Sequence, residues 1–158
     1  MFWCCRSSTG PTDSTIVCEE PAVDDSAAGV MMLLSPRTAD WKLDSDCVGS
    51  RILWVSLQGL FQSLFVVGWY IPHKYRAEPD QMDTFKQIRS LIGTKAWRGD
   101  VVIGIGDANT WLKRSVKGYT GRYCAHPSAD SGSAMLHELM VDHKLFAAST
   151  YFKPPRRS

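Results

Sequence analysis

The chain has 158 residues, 44% hydrophobic and 22% charged, with a formal net charge of +2. That length suffices for one domain with a real core, and the composition is that of an ordinary soluble globular protein. So small a charge does not by itself argue for a polyanionic partner, and no apolar run reaches the roughly 20 residues a bilayer span needs, so no membrane partner is expected.

The opening "MFWCCRSS" has neither a basic leader nor a long apolar stretch, so no secretory signal is expected there. It reads as part of an N-terminal strand. The five cysteines, Cys4, Cys5, Cys18, Cys47 and Cys124, are odd in number and lack metal-type spacing. They are expected to be reduced structural thiols in a soluble intracellular protein. Residues 7–28 are rich in Ser, Thr, Asp, Pro and Gly, which is loop composition apart from the brief "TIVC".

From Gly29 the pattern changes. "GVMMLLS" (29–35), "RILWVSL" (51–57) and "LFVVGWYI" (64–71) are apolar runs of strand length, separated by the turn-rich "SPRTAD" and "LQGLFQS". The short link between the last two predicts a hairpin. Strands apolar on both faces predict a sheet covered on each side. "EPDQMDTFKQIRSLIGTK" predicts a helix capped by Asp80, with a stripe of Met82, Phe85, Ile88, Leu91 and Ile92, stopping at Gly93. "DVVIGIG" returns to a strand, and a loop follows from Asn109 to about Asp130. "SGSAMLHELMVDHK" predicts a second amphipathic helix with Met135, Leu136, Leu139 and Met140 on one side. "LFAASTYF" predicts a short final strand, before the basic, proline-broken tail "KPPRRS". No internal repeat is visible. The order implies mixed sheets with helices packed outside, and the first and last elements read as those of a fragment.

The chemistry concentrates where strands end. Asp107 and Asn109 follow "VVIGIG", and a persisting extended conformation would project both to one side. Gly104 and Gly106 leave room for backbone or ligand to approach. A carboxylate there can bind a hard cation or orient a water, and an amide can donate to a phosphate oxygen. Gly-Asp-x-Asn is equally good turn and N-cap chemistry. Tyr70 closes another strand just before "IP", where its phenol could donate to a phosphate or could simply be an aromatic at the core edge.

With these residues in order, the sequence from about Gly29 to Phe152 resembles the endonuclease/exonuclease/phosphatase superfamily, the deoxyribonuclease I-like fold. "GVMMLLSP" is similar to its early Gly-Val strand, and "SRILWVSL" with "LFVVGWYIP" to its central hairpin ending in Tyr-x-Pro. "DVVIGIGDAN" is similar to its Gly-Asp-x-Asn strand. "DSGSAMLHELMVDHKLFAASTYF" looks closest to nuclease domains of non-LTR retrotransposons, the kind associated with reverse transcriptases. The resemblance implies an α/β (α+β) fold, a partial four-layer α/β/β/α sandwich over residues 29–152. A partial N-terminal strand and flexible loop (1–28) precede it, and a basic tail (153–158) follows. It implies a Mg²⁺-dependent (Mn²⁺ possible) hydrolase that cleaves DNA. Asp107 would position or deprotonate water, Asn109 would contact phosphate or metal, and Tyr70 would steady the phosphate, with Asp107 and Asn109 as metal ligands. A nuclear location follows if the chain is retrotransposon-derived.

The departures are specific. The family carries an Asn and a metal-binding Glu before its Gly-Val strand, and Glu19 and Glu20 lie closer to Gly29 than that spacing, which favours a solvated loop pair. The family's later Asp-His strand and Ser-Asp-His segment do not occur here. An incomplete, weakly active or inactive domain is therefore expected, with a partner segment or chain that could complete the sheet. His137 and His143 stand six residues apart, off any shared helix face, so "HELMVDH" is not a His-Glu-x-x-His zinc motif. His73 follows the Tyr-x-Pro turn and His126 lies in a loop, and surface positions are expected for the histidines. Lys113, Arg114, Lys117 and Arg122, interleaved with Trp111, Tyr119 and Tyr123, suit a nucleic acid whose bases can stack, and equally a plain soluble loop. The rival readings are a non-catalytic nucleic-acid-binding remnant, a phosphatase-branch member of the superfamily, and an unrelated α/β interaction domain in which Gly-Asp-x-Asn is a turn far from Tyr70.

Overall fold

Two strands built from β-branched and aromatic residues carry the structure, β4 (Ile52–Leu57) and β5 (Leu64–Tyr70). They pair antiparallel from Ile52↔Trp69 to Leu57↔Leu64, the hairpin expected from the short link between them. Nearly every residue of both is buried, so both faces of the sheet are covered here. The computed structural model describes residues 15–16, 29–73, 78–112, 118–124 and 130–153. They form a mixed α/β structure, and they divide into two compact units. One comprises Met1–Ile71 with Ser90–Asp107, the other Pro72–Arg89 with Ala108–Ser158.

The first unit holds a four-stranded sheet in the order β3-β4-β5-β6, where β3 is Lys42–Val48 and β6 is Val101–Asp107. β3 pairs antiparallel with β4, and β5 pairs parallel with β6. A parallel neighbour requires a crossover, and the helix α2 (Glu78–Lys95) lies in that connection. Cross-strand partners share a face, which sorts the sheet's two coverings. On one face Leu34, Val55, Leu57 and Val66 form a core joined by Met32, Ala39 and Leu64. On the other, Trp54 stacks on Phe65 with centroids 5.3 Å apart, and the Lys95 ammonium sits 5.3 Å above the Trp54 ring.

The strand expected over 29–35 shortens to β2 (Leu33–Leu34), which pairs antiparallel with β1 (Thr15–Ile16). Directly after it, Ser35 accepts from the Thr38 backbone N–H at 3.2 Å and Pro36 opens the one-turn helix α1 (Pro36–Ala39), a capping signal inside what reads as turn sequence. β3 has no counterpart in the hydrophobic pattern. Its Lys42, Asp44 and Asp46 are exposed, and a bulge falls between Lys42 and Asp44, both ordinary devices of an edge strand. Cys47 on β3 is disulfide-bonded, which corrects the expectation of reduced thiols. It is only half-buried on an edge strand, within reach of another thiol, whereas Cys124 is free and buried.

The other edge is different in kind. β6 is apolar yet open, with Val101, Ile103 and Ile105 exposed to 39%, 38% and 60%. Among the described residues no strand pairs with its outer side.

In the second unit, Phe85 and Ile88 of α2 and Leu136, Leu139 and Met140 of α3 (Ser131–Asp142) are buried, while Met82, assigned to the same stripe, is exposed. Arg89 bridges Glu138 and Asp142 of α3. The sequence signals at the ends of α2 are each displaced by a turn or less. The helix begins at Glu78, so Asp80 lies in its first turn, where its carbonyl accepts from the Thr84 hydroxyl at 2.7 Å. It runs through Gly93 to Lys95, since one glycine costs a helix only about 1 kcal/mol. The strand expected over 145–152 is replaced by a single bridge, Thr120↔Ala147, and a 3-10 turn, Ala148–Tyr151. The Thr150 hydroxyl explains it by taking over backbone bonding, donating to the Ala147 carbonyl and accepting from the Gly121 N–H, each at 2.6 Å. Among the described residues no helix is long and apolar enough to cross a membrane.

Phe65→Ala should cost about 3–5 kcal/mol in urea unfolding, because it empties a fully buried site; a loss below about 1 kcal/mol would contradict this packing. Ile105→Lys should reduce concentration-dependent self-association in sedimentation by charging an apolar edge, and unchanged association would remove β6 as its source.

Candidate strand-end site

The parallel register of β5 and β6 runs without a shift from Leu64↔Val101 to Tyr70↔Asp107. Tyr70 and Asp107 are therefore cross-strand neighbours on one face, at the carboxyl ends of both strands. The ladder holds up to this point, since the Ile71 N–H donates to the Asp107 carbonyl at 2.9 Å. Pro72 follows and cannot donate to a ladder. The Asp107 residue is exposed and Tyr70 is half-buried.

The glycines before Asp107 have a definite use. A Cβ at Gly104 would run into the far edge of the Trp69 indole, and one at Gly106 into its pyrrole edge and the Trp69 carbonyl. The space left by the missing side chains is thus filled by Trp69, 8% exposed, lying across β6 on the face opposite Asp107. Trp69 is the immediate neighbour of Tyr70, so the packing that seats the indole also fixes the end of β5.

Asn109 belongs to the second unit and does not continue the strand. Its φ of +42° lies in the left-handed region, so the shared-side projection expected of Asp107 and Asn109 in an extended chain does not hold. Asparagine is among the few non-glycine residues that adopt this conformation readily. Immediately after it, the Thr110 hydroxyl donates to Oδ1 of Asp130, which also accepts from the Ser133 N–H at 3.0 Å and so caps α3. A Cβ at Gly132 would lie 2.8 Å from Thr110 Oγ1 and 3.1 Å from Gln81 Oε1. Gln81 is buried, and its Nε2 donates to the Pro72 carbonyl at 3.3 Å. Thr110, Asp130, Gly132 and Gln81 were not singled out by their sequence context. The available signal was local: Asp130 stands three residues before Ser133 at the opening of an apolar helix, a capping pattern.

Of the proposed nucleic-acid contacts, Trp111 is exposed, and the Arg122 guanidinium lies 4.8 Å over the Tyr123 ring in an exposed turn. Lys113, Arg114 and Lys117 lie outside the described residues, as do Glu19, Glu20 and His126. His73 is exposed. His137 and His143 are half-buried rather than surface residues, with a buried Nε2 on each, and His137 meets Tyr119 edge-on at 5.8 Å. Their helix packs on its Leu136–Leu139–Met140 side, and a half-buried histidine at its margin is the consequence.

Among the described residues no group of three or more His, Cys, Asp or Glu side chains is placed to hold a metal ion. Asp107 alone still offers what Mg²⁺ commonly takes from a protein, one or two carboxylates, with water and phosphate oxygens completing the shell. The chain matches no protein-family model and no curated protein.

If the backbone at Asn109 requires its positive φ, Asn109→Ala should unfold about 1 kcal/mol or more less stably than Asn109→Gly, since both lose the amide and only alanine carries a Cβ. Equal urea midpoints for the two variants would count against that strain.

Proposed function

We propose that the chain is a Mg²⁺-dependent, phosphodiester-cleaving endonuclease-type domain acting on DNA, with the deoxyribonuclease I-like α/β/β/α sandwich and a retrotransposon-like origin. The observation that carries this reading is the register that sets Tyr70 beside Asp107 at the carboxyl ends of parallel strands. Open α/β sheets bind ligands at such strand ends, and a phenol donor beside a carboxylate is apt chemistry for a phosphodiester. Asp107 would orient the attacking water and hold the cation, while the Tyr70 hydroxyl would donate to a non-bridging phosphate oxygen. The Asn109 amide would supply a further donor without adding negative charge. Bound Mg²⁺, or Mn²⁺, would neutralise charge on the phosphate as the bridging P–O bond breaks. An intracellular, nuclear setting goes with this reading, although a disulfide at Cys47 is chemistry more usual in oxidising compartments. A partner segment or chain pairing with the open edge of β6 belongs to it as well.

Only weak turnover is expected, because the sequence contains no Ser-Asp-His segment and members of a catalytic unit do not act independently. A non-catalytic nucleic-acid-binding role is the second reading, favoured by the exposed Trp111 and the Arg122–Tyr123 stack.

Nicking of supercoiled plasmid in Mg²⁺ or EDTA separates these. Slow nicking should require Mg²⁺, disappear in Asp107→Ala and fall about tenfold or more in Tyr70→Phe, the loss of one hydrogen bond to a charged oxygen. Nicking that survives EDTA or Asp107→Ala would sink the nuclease reading. Salt-sensitive plasmid binding without any nicking would leave the binding role.

A further inference from the structure

We propose that Thr110 and Asp130 are positioning residues that hold Asn109 in its left-handed conformation, through a polar hub completed by Gly132 and Gln81. The inference rests on the nuclease reading for the role of Asn109, while the hub itself can be tested without activity.

A non-glycine residue at φ +42° persists only where its surroundings over-determine it. Here the next residue is fastened. The Thr110 hydroxyl is bonded to Asp130 Oδ1, the same oxygen that caps α3 through the Ser133 N–H. The cap is itself fixed, because α3 is anchored by buried Leu136, Leu139 and Met140. One oxygen therefore ties the turn after Asp107 to the rigid start of a 12-residue helix.

Gly132 makes the tie short enough. Any larger residue would press on the Thr110 hydroxyl, 2.8 Å from where its Cβ would stand, and on the Gln81 carboxamide oxygen at 3.1 Å. Gln81, 2% exposed, uses its other end to hold the Pro72 carbonyl. The hub thus grips Pro72, two residues after Tyr70, and Thr110, next to Asn109. The chain segments that carry two of the three proposed site residues are held by one set of buried polar groups. A simple helix cap would need Asp130 alone; the hydroxyl of Thr110, the glycine and the buried glutamine have no part in capping.

The experiment uses the full chain and the variants Thr110→Val, Thr110→Ser and Gly132→Ala, with ¹⁵N relaxation at residues 109–111 and plasmid nicking in Mg²⁺ as separate readouts. Thr110→Val keeps the side-chain shape and the α3 cap but loses the donor. It should leave α3 order parameters unchanged while those at 109–111 fall from about 0.85 toward 0.6. Thr110→Ser should behave as wild type, and Gly132→Ala as Thr110→Val. Nicking should fall in Thr110→Val to the level of Asn109→Gly, and the double variant should be no slower than either, as expected for groups acting through one another.

Wild-type order parameters at 109–111 in Thr110→Val would overturn the hub. So would a loosened loop with undiminished nicking, since the hold on Asn109 would then have no consequence. A wild-type chain that does not nick, together with a loop loosened by Thr110→Val and restored by Thr110→Ser, would refute the nuclease reading and uphold the hub.

Discussion

The close approach of Trp69 to β6 is the constraint on which the strand-end geometry depends. A parallel strand pair normally carries side chains on both faces of each strand. In "VVIGIGD" two of the three positions that face Trp69 are glycine, and the indole occupies their space. That contact draws the end of β5 down onto the end of β6 and keeps the register unshifted to Tyr70↔Asp107. An alanine at either glycine would lift the ring, and the phenol and carboxylate would lose their fixed relation.

The sheet's two edges solve opposite problems. β3 presents lysine, aspartates and a bulge to its open side, which discourages pairing with another chain. β6 presents valine and isoleucines on one face and glycines on the other, and has no such protection. A strand of this composition is typical of the interior of a sheet rather than its rim. The same strand ends in Asp107, so the least protected edge of the sheet and the proposed chemistry coincide. That coincidence is consistent with a partner strand beside the site, which would also lower the dielectric around the carboxylate and strengthen its interactions.

The second unit contributes order by different means. Where the sheet is held by apolar burial, the turn after β6 is held by polar groups that must each find a partner once removed from water. Asn109 sits in that turn at a backbone angle few residues accept, and local strain of this sort is stored most often where a side chain has to be aimed. Apolar packing sets the plane of the strand ends, and the Thr110–Asp130 link sets the turn that leaves it.

The elements legible in the sequence were those whose apolar period is strong: the β4–β5 hairpin, α2, β6 and α3, along with Asp107 and Tyr70 at strand ends. β3 was hidden because an edge strand needs no hydrophobic alternation, and the final strand was replaced because Thr150 satisfies its backbone locally. By itself the sequence determined which segments could be strands or helices and which residues at their ends could do chemistry, because periodicity and side-chain type are local properties. Only the tertiary structure decided that Tyr70 and Asp107 share a register, that the two glycines serve Trp69, and that Gln81, Thr110, Asp130 and Gly132 meet. Those facts depend on contacts between residues distant in the chain, and no local pattern encodes which distant surface a glycine or a buried amide will meet.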